Sequence, residues 1–251
     1  MAKQGEIDYL MRIGEAGARH AAGKPYSDVG CGSYLMQIGC IMSLLPQPPC
    51  RLLDAGCGTG WTSVLFARRG YDVVGVDISE DMIFHANMNK HRERVGNLHF
   101  VVCDYENMPF ELEFECAVFF DSLHHAVDEV EALRAVHRAL RQGGICVTSE
   151  PGTGHARKPE AQAAVRDFNV TERDMPPWHI IRAAKEVGFR KSRIYPHPLD
   201  LHQVHYDPTQ RRSFLPRLSS KFSMIQRFCA SLSTFRILFS LQHQGITYMV
   251  K

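Results

Sequence analysis

The feature that most constrains this chain is a glycine-rich turn that directly follows a short apolar segment. Residues 51–60 read Arg-Leu-Leu-Asp-Ala-Gly-Cys-Gly-Thr-Gly, so that an acid, Asp54, precedes three alternating glycines. Glycine lets the backbone turn sharply and lets a ligand approach main-chain N–H groups without a Cβ in the way. A dinucleotide-binding turn would need glycine where this chain has Trp61, and Asp54 would repel a pyrophosphate. The turn therefore favours a ligand that carries an ammonium or sulfonium group.

Two further acids follow predicted strands in the same way. The buried strands that come after the turn end in Asp77 and Asp104. Because ligands of open α/β sheets bind beyond the carboxyl ends of the strands, these acids should lie near one another. Asp77 suits the vicinal hydroxyls of a ribose and Asp104 the amino group of an adenine, with Ile78 and Tyr105 on either side of the ring. Together with the glycine turn, this order of acids points to S-adenosylmethionine (SAM).

The order of motifs resembles the Rossmann-like, class I SAM-dependent methyltransferases over about residues 50–190. The motifs are Leu53-Asp-Ala-Gly-Cys-Gly-Thr-Gly60, Gly75-Val-Asp-Ile-Ser79, Val102-Cys-Asp-Tyr105, Phe119-Phe-Asp-Ser-Leu-His-His125 and Leu140-Arg-Gln-Gly-Gly-Ile145. Gln142 stands where the family usually has proline. The resemblance implies an α/β fold with a doubly wound, seven-stranded, mostly parallel sheet whose last strand is antiparallel.

We therefore predict SAM as the cofactor and S-adenosylhomocysteine as its product. Asp54 and the glycines of the turn should line the methionine end, Asp77 the ribose, and Asp104 and Tyr105 the adenine. The predicted cofactor-binding residues are Asp54, Gly56, Gly58, Gly60, Asp77, Ile78, Met82, Asp104, Tyr105 and Asp121. Tyr26 or Tyr34, upstream of the first strand, is expected to close over the SAM carboxylate.

The catalytic prediction depends on polar residues after the fourth and fifth strands. Asp121-Ser-Leu-His-His125 follows the fourth strand and Glu150 follows the fifth. A hydroxyl acceptor must lose a proton during methyl transfer, and a histidine beside a carboxylate suits that work. The pattern resembles small-molecule O-methyltransferases that modify sugars, which implies His125 or His124 as general base and Glu150 as its orienting carboxylate. A packing role for the histidines, and a Mg²⁺ ion on Asp121, His124 and Glu150, are the alternatives; we favour a site without metal.

The spacing of apolar residues and the positions of Gly and Pro predict one core domain with additional segments. The expected organisation is an N-terminal helical cap (1–49), a SAM-binding core (50–199), a helical lid insertion (200–242) and a final strand (243–251). The cap should hold helices at 4–22 and 33–45. The core should hold strands at 51–55, 72–76, 98–102, 115–120, 144–149, 190–195 and 244–250, and helices at 60–69, 80–94, 128–140 and 177–187.

The insertion has an unusual charge. From Pro208 onward the chain contains seven Lys or Arg and no Asp or Glu, while apolar residues recur every three or four positions from 214 to 239. One interpretation is a solvated helix face over the site. The other is a lid that receives an anionic acceptor, such as a nucleotide-linked or lipid-linked sugar, or that contacts a membrane surface peripherally. The His202-Gln-Val-His205 pair at its start should line the acceptor pocket or cap a helix, with metal binding as the lesser alternative.

Several other classes are disfavoured. The net charge is only +2 and the basic stripe lacks interleaved aromatic residues, so we expect no nucleic-acid partner. We expect no secretion signal and no transmembrane segment, and the eight scattered cysteines suggest apolar fillers in a reducing cytoplasm. The sequence predicts a cytoplasmic SAM-dependent methyltransferase of a small hydroxylated acceptor, with a sugar or glycoconjugate precursor as the favoured class. The alternatives are N- or C-methylation of a small molecule or lipid, and a non-catalytic SAM-binding regulatory module.

Overall fold

The computed structural model describes residues 3–198 and 245–251. The described helices are α1 (Gln4–Arg12), α2 (Gly14–Gly23), α3 (Cys31–Leu44), α4 (Trp61–Arg69), α5 (Glu80–Glu93), α6 (Glu129–Ala139), α7 (Pro159–Phe168) and α8 (Pro177–Val187). The strands are β1 (Arg51–Ala55), β2 (Asp72–Asp77), β3 (Leu98–Val102), β4 (Phe114–Phe120), β5 (Leu140–Ser149), β6 (Lys191–Pro196) and β7 (Gly245–Val250). The predicted helical insertion over 200–242, with its two histidines, lies outside the described residues.

The seven strands form one sheet in the order β3-β2-β1-β4-β5-β7-β6. The neighbouring pairs from β3 to β5 are parallel, whereas β7 runs antiparallel to both β5 and β6. The predicted sheet, doubly wound and mostly parallel with an antiparallel last strand, is confirmed. Its strand order reverses between β1 and β4, and ligands of such sheets bind beyond this switch point.

The central strands are buried because helices cover both faces of the sheet. Leu53 and Phe119 face one apolar cluster, to which α6 and α8 also contribute, and both side chains are fully buried. Leu52 and Val118 face the opposite cluster, which includes residues of α3 and α4. Burying one such side chain contributes about 1.5–3 kcal/mol. This packing holds the carboxyl ends of β1 and β4 side by side.

The prediction of one helix over 4–22 is wrong, because the chain breaks into α1 and α2 at Gly14. Gly14 has a φ of +70°, a left-handed conformation that glycine adopts without a steric penalty. The break lets α1 pack on α5 and α7. The Ser79 hydroxyl donates to the Ile7 carbonyl (2.9 Å), and Arg12 Nη1 donates to the Phe168 carbonyl (3.1 Å). The first helix is thereby fixed beside the carboxyl edge of the sheet.

Helix α7, which the sequence patterns do not predict, follows the fifth strand. It begins with Pro159, whose missing N–H costs nothing at the first helical position. It ends at Phe168 and is capped by Asn169, which has a left-handed conformation with φ +58°. The segment after Asn169 returns toward the carboxyl edge of the sheet. Among the described residues, none of the helices combines the length and apolar character that spanning a membrane requires.

Candidate active site

A cavity of about 530 Å³ opens where β1, β2 and β4 end. Its volume falls in the range of roughly 300–1,000 Å³ typical of small-molecule sites. The predicted residues that line it are Gly56, Gly58, Asp77, Ile78, Met82, Asp104, Tyr105, Asp121, His124 and His125. Residues from outside the predicted set also line it, including Lys3, Glu6, His155 and Glu172.

The glycine turn forms one wall of the cavity. The Gly56 and Cys57 N–H groups both donate to the Val76 carbonyl, at 2.9 Å each, which fixes the turn against β2. Gly56 has a φ of +74°, and a Cβ on it would lie 2.6 Å from Ser122 Cβ. Gly58 has a φ of +52°, and an added Cβ would meet no atom within 4 Å. The left-handed backbone and the closeness of Ser122 therefore both require glycine at position 56. Gly58 instead leaves open space beside the turn.

Gly56→Ala should destabilise the fold by about 2 kcal/mol or more, since it adds left-handed strain to an overlap with Ser122. The free energy of unfolding in urea measures this. Gly39→Ala is the matched control, because Gly39 lies within α3 and an added Cβ would meet nothing within 4 Å. That substitution should stabilise the helix by about 0.5–1 kcal/mol. Equal effects of the two substitutions would contradict the described turn.

Asp54 and Gly60 do not line the cavity, which corrects their predicted contact with the methionine end. The buried Asp54 carboxylate accepts hydrogen bonds from Thr62 Oγ1 (2.7 Å) and Ser63 Oγ (2.5 Å), and so ties β1 to the first turn of α4. Burial raises the pKa of Asp54 to about 6, although those two hydroxyls oppose the shift. A Cβ on Gly60 would lie 2.4 Å from the Phe100 ring. Asp54 and Gly60 therefore support the glycine turn without lining the cavity.

Asp77 lies at the end of β2 and lines the cavity. Its Oδ2 accepts from the Gly58 N–H (2.8 Å) and its Oδ1 from the Ser79 N–H (3.0 Å). Burial raises the pKa of Asp77, although these backbone hydrogen bonds act in the opposite direction. A carboxylate oxygen can accept two hydrogen bonds, so each oxygen keeps capacity for a ligand hydroxyl.

Asp104 already has a cationic partner that the sequence patterns do not predict. Lys3 Nζ lies 2.5 Å from Asp104 Oδ2 and 3.0 Å from a Glu106 carboxylate oxygen. Despite partial burial, the hydrogen bond from Lys3 and neighbouring donors lowers the pKa of Asp104. The Tyr105 hydroxyl donates to the Ser122 carbonyl (3.0 Å), which holds the ring at the cavity wall. An adenine amino group at Asp104 would therefore share that carboxylate with Lys3.

Of the two tyrosines named for the SAM carboxylate, the structure favours Tyr34 and not Tyr26. The Tyr26 side chain is 74% exposed and does not line the cavity. Tyr34 lines it and packs edge-on against Trp61 and Phe120. Burial, with the nearby charge of Asp121, raises the pKa of Tyr34 to about 12. Tyr34 is therefore a neutral hydroxyl at the cavity wall.

His124 and Glu150 form a buried pair, of which His124 lines the cavity. His124 Nδ1 lies 2.8 Å from Glu150 Oε2. The Glu150 carboxylate also accepts from the backbone N–H groups of Ser122, Leu123 and His124 at 2.9–3.2 Å. With Glu150 ionised, Nδ1 must carry the proton, which leaves the lone pair on Nε2. Because Glu150 is occupied by these donors, it is unsuited to the Mg²⁺ set that the sequence left as an alternative.

His125 has a different environment. Its Nδ1 lies 2.6 Å from the Thr171 carbonyl and 3.4 Å from Glu6 Oε1. Burial acts to lower the pKa of His125, but the hydrogen bond and charge of Glu6 outweigh it and raise that pKa to about 9. A histidine that already holds a proton is a poor general base, so the geometry favours His124 over His125 for that role. Asp121, with φ +51°, borders the same region.

Glu172 and Glu6 are site residues that the sequence patterns do not reveal. Glu172 Oε2 lies 2.6 Å from His155 Nε2 and 3.5 Å from His124 Nε2. The hydrogen bond from His155 and the charges of the histidines lower the pKa of Glu172, against the effect of burial. Glu6 accepts from the Thr171 N–H (2.7 Å). No local motif marks either residue, since both reach the cavity on segments outside the recognised motifs.

Comparison with known families identifies the core that carries this cavity. The family described as "Methyltransferase domain" matches residues 53–148, which run from the glycine turn to β5. Residues 53–148 match this family, which bears out the resemblance to SAM-dependent methyltransferases for that segment of the chain.

Two similar proteins are named as O-methyltransferases. The ubiquinone biosynthesis O-methyltransferase of Psychrobacter arcticus is 24% identical over 184 residues, which cover 66% of each protein. The magnesium-protoporphyrin O-methyltransferase of Rhodobacter capsulatus is 47% identical over 85 residues, or 33% of this chain and 38% of the relative. The matches thus span between 38% and 66% of the length of these relatives, and the O-methyltransferases do not by themselves fix the acceptor of this chain.

Solved structures of other methyltransferases share this fold. The geranyl diphosphate C-methyltransferase of Streptomyces coelicolor, solved with Mg²⁺, geranyl diphosphate and S-adenosylhomocysteine, has a TM-score of 0.65 and 18% identity over 99% of this chain and 97% of that one. The phosphoethanolamine N-methyltransferase 2 of Haemonchus contortus, solved with phosphomonomethylethanolamine and S-adenosylhomocysteine, has a TM-score of 0.64 and 19% identity over 97% and 59%. At these identities the likeness concerns the fold alone.

Proposed function

We propose that this chain transfers the methyl group of SAM to a hydroxyl group of a small acceptor, with a sugar or glycoconjugate precursor as the first class to test. The observation that carries the proposal is the buried His124–Glu150 pair, whose histidine lines the same cavity as the glycine turn and Asp77. The glycine turn and Asp77 suit the cofactor, and His124 suits removal of a proton. The methyltransferase domain supplies the reaction class.

The residues present fit SAM. Gly58 leaves space beside the turn, and both oxygens of Asp77 can accept a further hydrogen bond from a ribose hydroxyl. Ile78 and Met82 line the adjoining apolar part of the cavity, and Tyr34 offers a neutral hydroxyl. When bound, SAM supplies an electrophilic methyl group on a sulfonium centre, so positioning of the acceptor accounts for much of the acceleration.

His124 is the residue that we assign as general base. Glu150 holds its Nδ1–H, so the Nε2 lone pair is available to accept the hydroxyl proton of an acceptor. The proton that Nε2 receives would create an imidazolium between two carboxylates, Glu150 at 2.8 Å and Glu172 at 3.5 Å. Opposite charges at these distances stabilise that product of proton transfer. Glu150 positions the ring and does not touch the reacting atoms.

A second candidate is methylation of an amine. Glu6, Asp121 and Glu172 line the acceptor side of the cavity, and their carboxylates would attract an ammonium group. The phosphoethanolamine N-methyltransferase of H. contortus shares the fold. A non-catalytic SAM-binding module would have this space filled by apolar side chains. The polar lining instead favours a catalytic interpretation.

The proposed reaction can be tested before the acceptor is identified. The purified chain is incubated with methyl-labelled SAM and fractionated metabolite pools, and labelled products are identified by mass spectrometry. Label on an oxygen of a hydroxylated product is the expected result. Label on nitrogen would support the amine candidate, and label on neither, with SAM bound, would favour the non-catalytic module.

A further inference from the structure

We propose that His124, His125 and Glu172 form a binding site for one divalent transition-metal ion such as Zn²⁺ or Co²⁺. Each residue offers one ligand atom, and these three atoms lie within 4.8 Å of one another. Ligands bound at about 2.0–2.2 Å from a metal lie roughly 3–4 Å apart, so a small side-chain rotation would complete the set. This site goes beyond the proposed methyl transfer and does not depend on it.

The hydrogen bonds behind the two histidines are those of metal ligands. His124 Nδ1 is held by Glu150 at 2.8 Å, and His125 Nδ1 by the Thr171 carbonyl at 2.6 Å. Both partners are acceptors, so each ring donates through Nδ1, and an ion bound at Nε2 would displace any proton held there. Metal-bound histidines characteristically donate their second nitrogen to a carboxylate or a backbone carbonyl in this way.

The charge around the histidines also favours a cation. Within the described part of the chain, the ion-pair partners of Glu6, Glu150 and Glu172 are all histidines. Neither lysine nor arginine is among these partners, and two of the three carboxylates, Glu6 and Glu172, line the cavity. Buried carboxylates are costly unless they are paired or coordinate a metal. A divalent ion on Glu172 would offset this charge.

The ligand types indicate which ion fits. Imidazole nitrogens suit Zn²⁺, Co²⁺, Ni²⁺ and Fe²⁺, whereas Mg²⁺ and Ca²⁺ prefer oxygen ligands throughout. Three protein ligands leave at least one coordination position open, as in catalytic metal sites. His124 Nε2 cannot bind an ion and accept a proton at the same moment. With the ion bound, an acceptor oxygen would meet the open coordination position.

Co²⁺ titration of the chelator-treated chain tests the site. Equilibrium dialysis should show one tightly bound Co²⁺ per chain, and its visible absorption should be that of nitrogen and oxygen ligands without a thiolate charge-transfer band. Glu172→Gln and His125→Asn should each weaken binding by more than about tenfold, since even an outer hydrogen-bond partner contributes about that much to metal affinity. His179→Asn is the control, because it removes another histidine–glutamate pair, His179 and Glu129 at 2.6 Å, and should leave Co²⁺ affinity unchanged.

Two further measurements separate metal binding from folding. SAM binding by each variant, measured by calorimetry, shows that the variant is folded. Anomalous diffraction from wild-type crystals grown with Co²⁺ locates the ion without any substitution. An ion between His124, His125 and Glu172 supports the site. Absence of saturable binding, an ion located elsewhere, or equal affinity in wild type and Glu172→Gln overturns it. Because SAM binding and label transfer are measured separately, these negative results would leave the proposed methyl transfer standing.

Discussion

Asp77→Asn should lower the affinity for SAM by about a hundredfold or more, while the protein stays folded. The substitution keeps the side-chain volume but removes the negative charge that would accept hydrogen bonds from both ribose hydroxyls. A hydrogen bond to a charged group contributes about 1.5–3 kcal/mol, and every 1.4 kcal/mol corresponds to about tenfold in affinity. The amide nitrogen would also face the N–H of Gly58 or Ser79, which now donate to the carboxylate. Isothermal titration calorimetry with SAM measures the effect.

Asp72→Asn is the matched control, since it makes the same change at the other end of β2. Asp72 lies 3.3 Å from Arg51 Nε in a half-exposed ion pair, away from the cavity lining. Such pairs contribute about 1 kcal/mol or less, and SAM affinity should be unchanged. If Asp77→Asn bound SAM as tightly as Asp72→Asn, the assignment of Asp77 to the ribose would fail.

His124→Asn should depress turnover by about 10² to 10⁴-fold and leave SAM affinity essentially unaltered, because it removes a general base without touching the glycine turn. The asparagine amide can take the place of Nδ1 as a donor to Glu150, so the buried carboxylate keeps a partner. The variant therefore separates loss of the Nε2 lone pair from loss of packing. Initial rates of label transfer from SAM to the active metabolite fraction provide the measurement.

His179→Asn again serves as the control, since its ring pairs with Glu129 outside the cavity lining. Its rate of label transfer should match that of the wild type. His125→Asn gives the informative comparison. A full rate in His124→Asn together with a severe loss in His125→Asn would transfer the role of base to His125 and contradict the assignment made from Glu150.

The fold follows largely from local patterns, and the exceptions have identifiable causes. Apolar runs that end in an acid predict β1 and β2 closely, because buried parallel strands are continuous hydrophobic segments. The sequence does not predict the split between α1 and α2, because the helical spacing of residues continues across Gly14. Only the left-handed backbone conformation of Gly14 reveals the break. Helix α7 escapes prediction because only Ala161 among its residues 159–168 is buried, so no stripe of large core side chains marks it.

The roles of the site residues are harder to predict from the sequence, because residues in similar sequence positions take different roles. Asp54 and Asp77 both lie near the carboxyl ends of strands, but two hydroxyls of α4 donate to Asp54, whereas Asp77 lines the cavity. Glu6 and His125 are distant in sequence and meet only because α1 packs beside the sheet edge. A linear pattern identifies which segments approach the ligand. Which side chain faces it depends on tertiary packing.

A crystal structure of the chain with S-adenosylhomocysteine tests the central claim most directly. The account predicts that the ribose hydroxyls lie within hydrogen-bonding distance of the Asp77 carboxylate and that the sulfur faces the side of the cavity lined by His124. A ligand bound elsewhere, or an Asp77 carboxylate turned away from the ribose with the sulfur remote from His124, would contradict it.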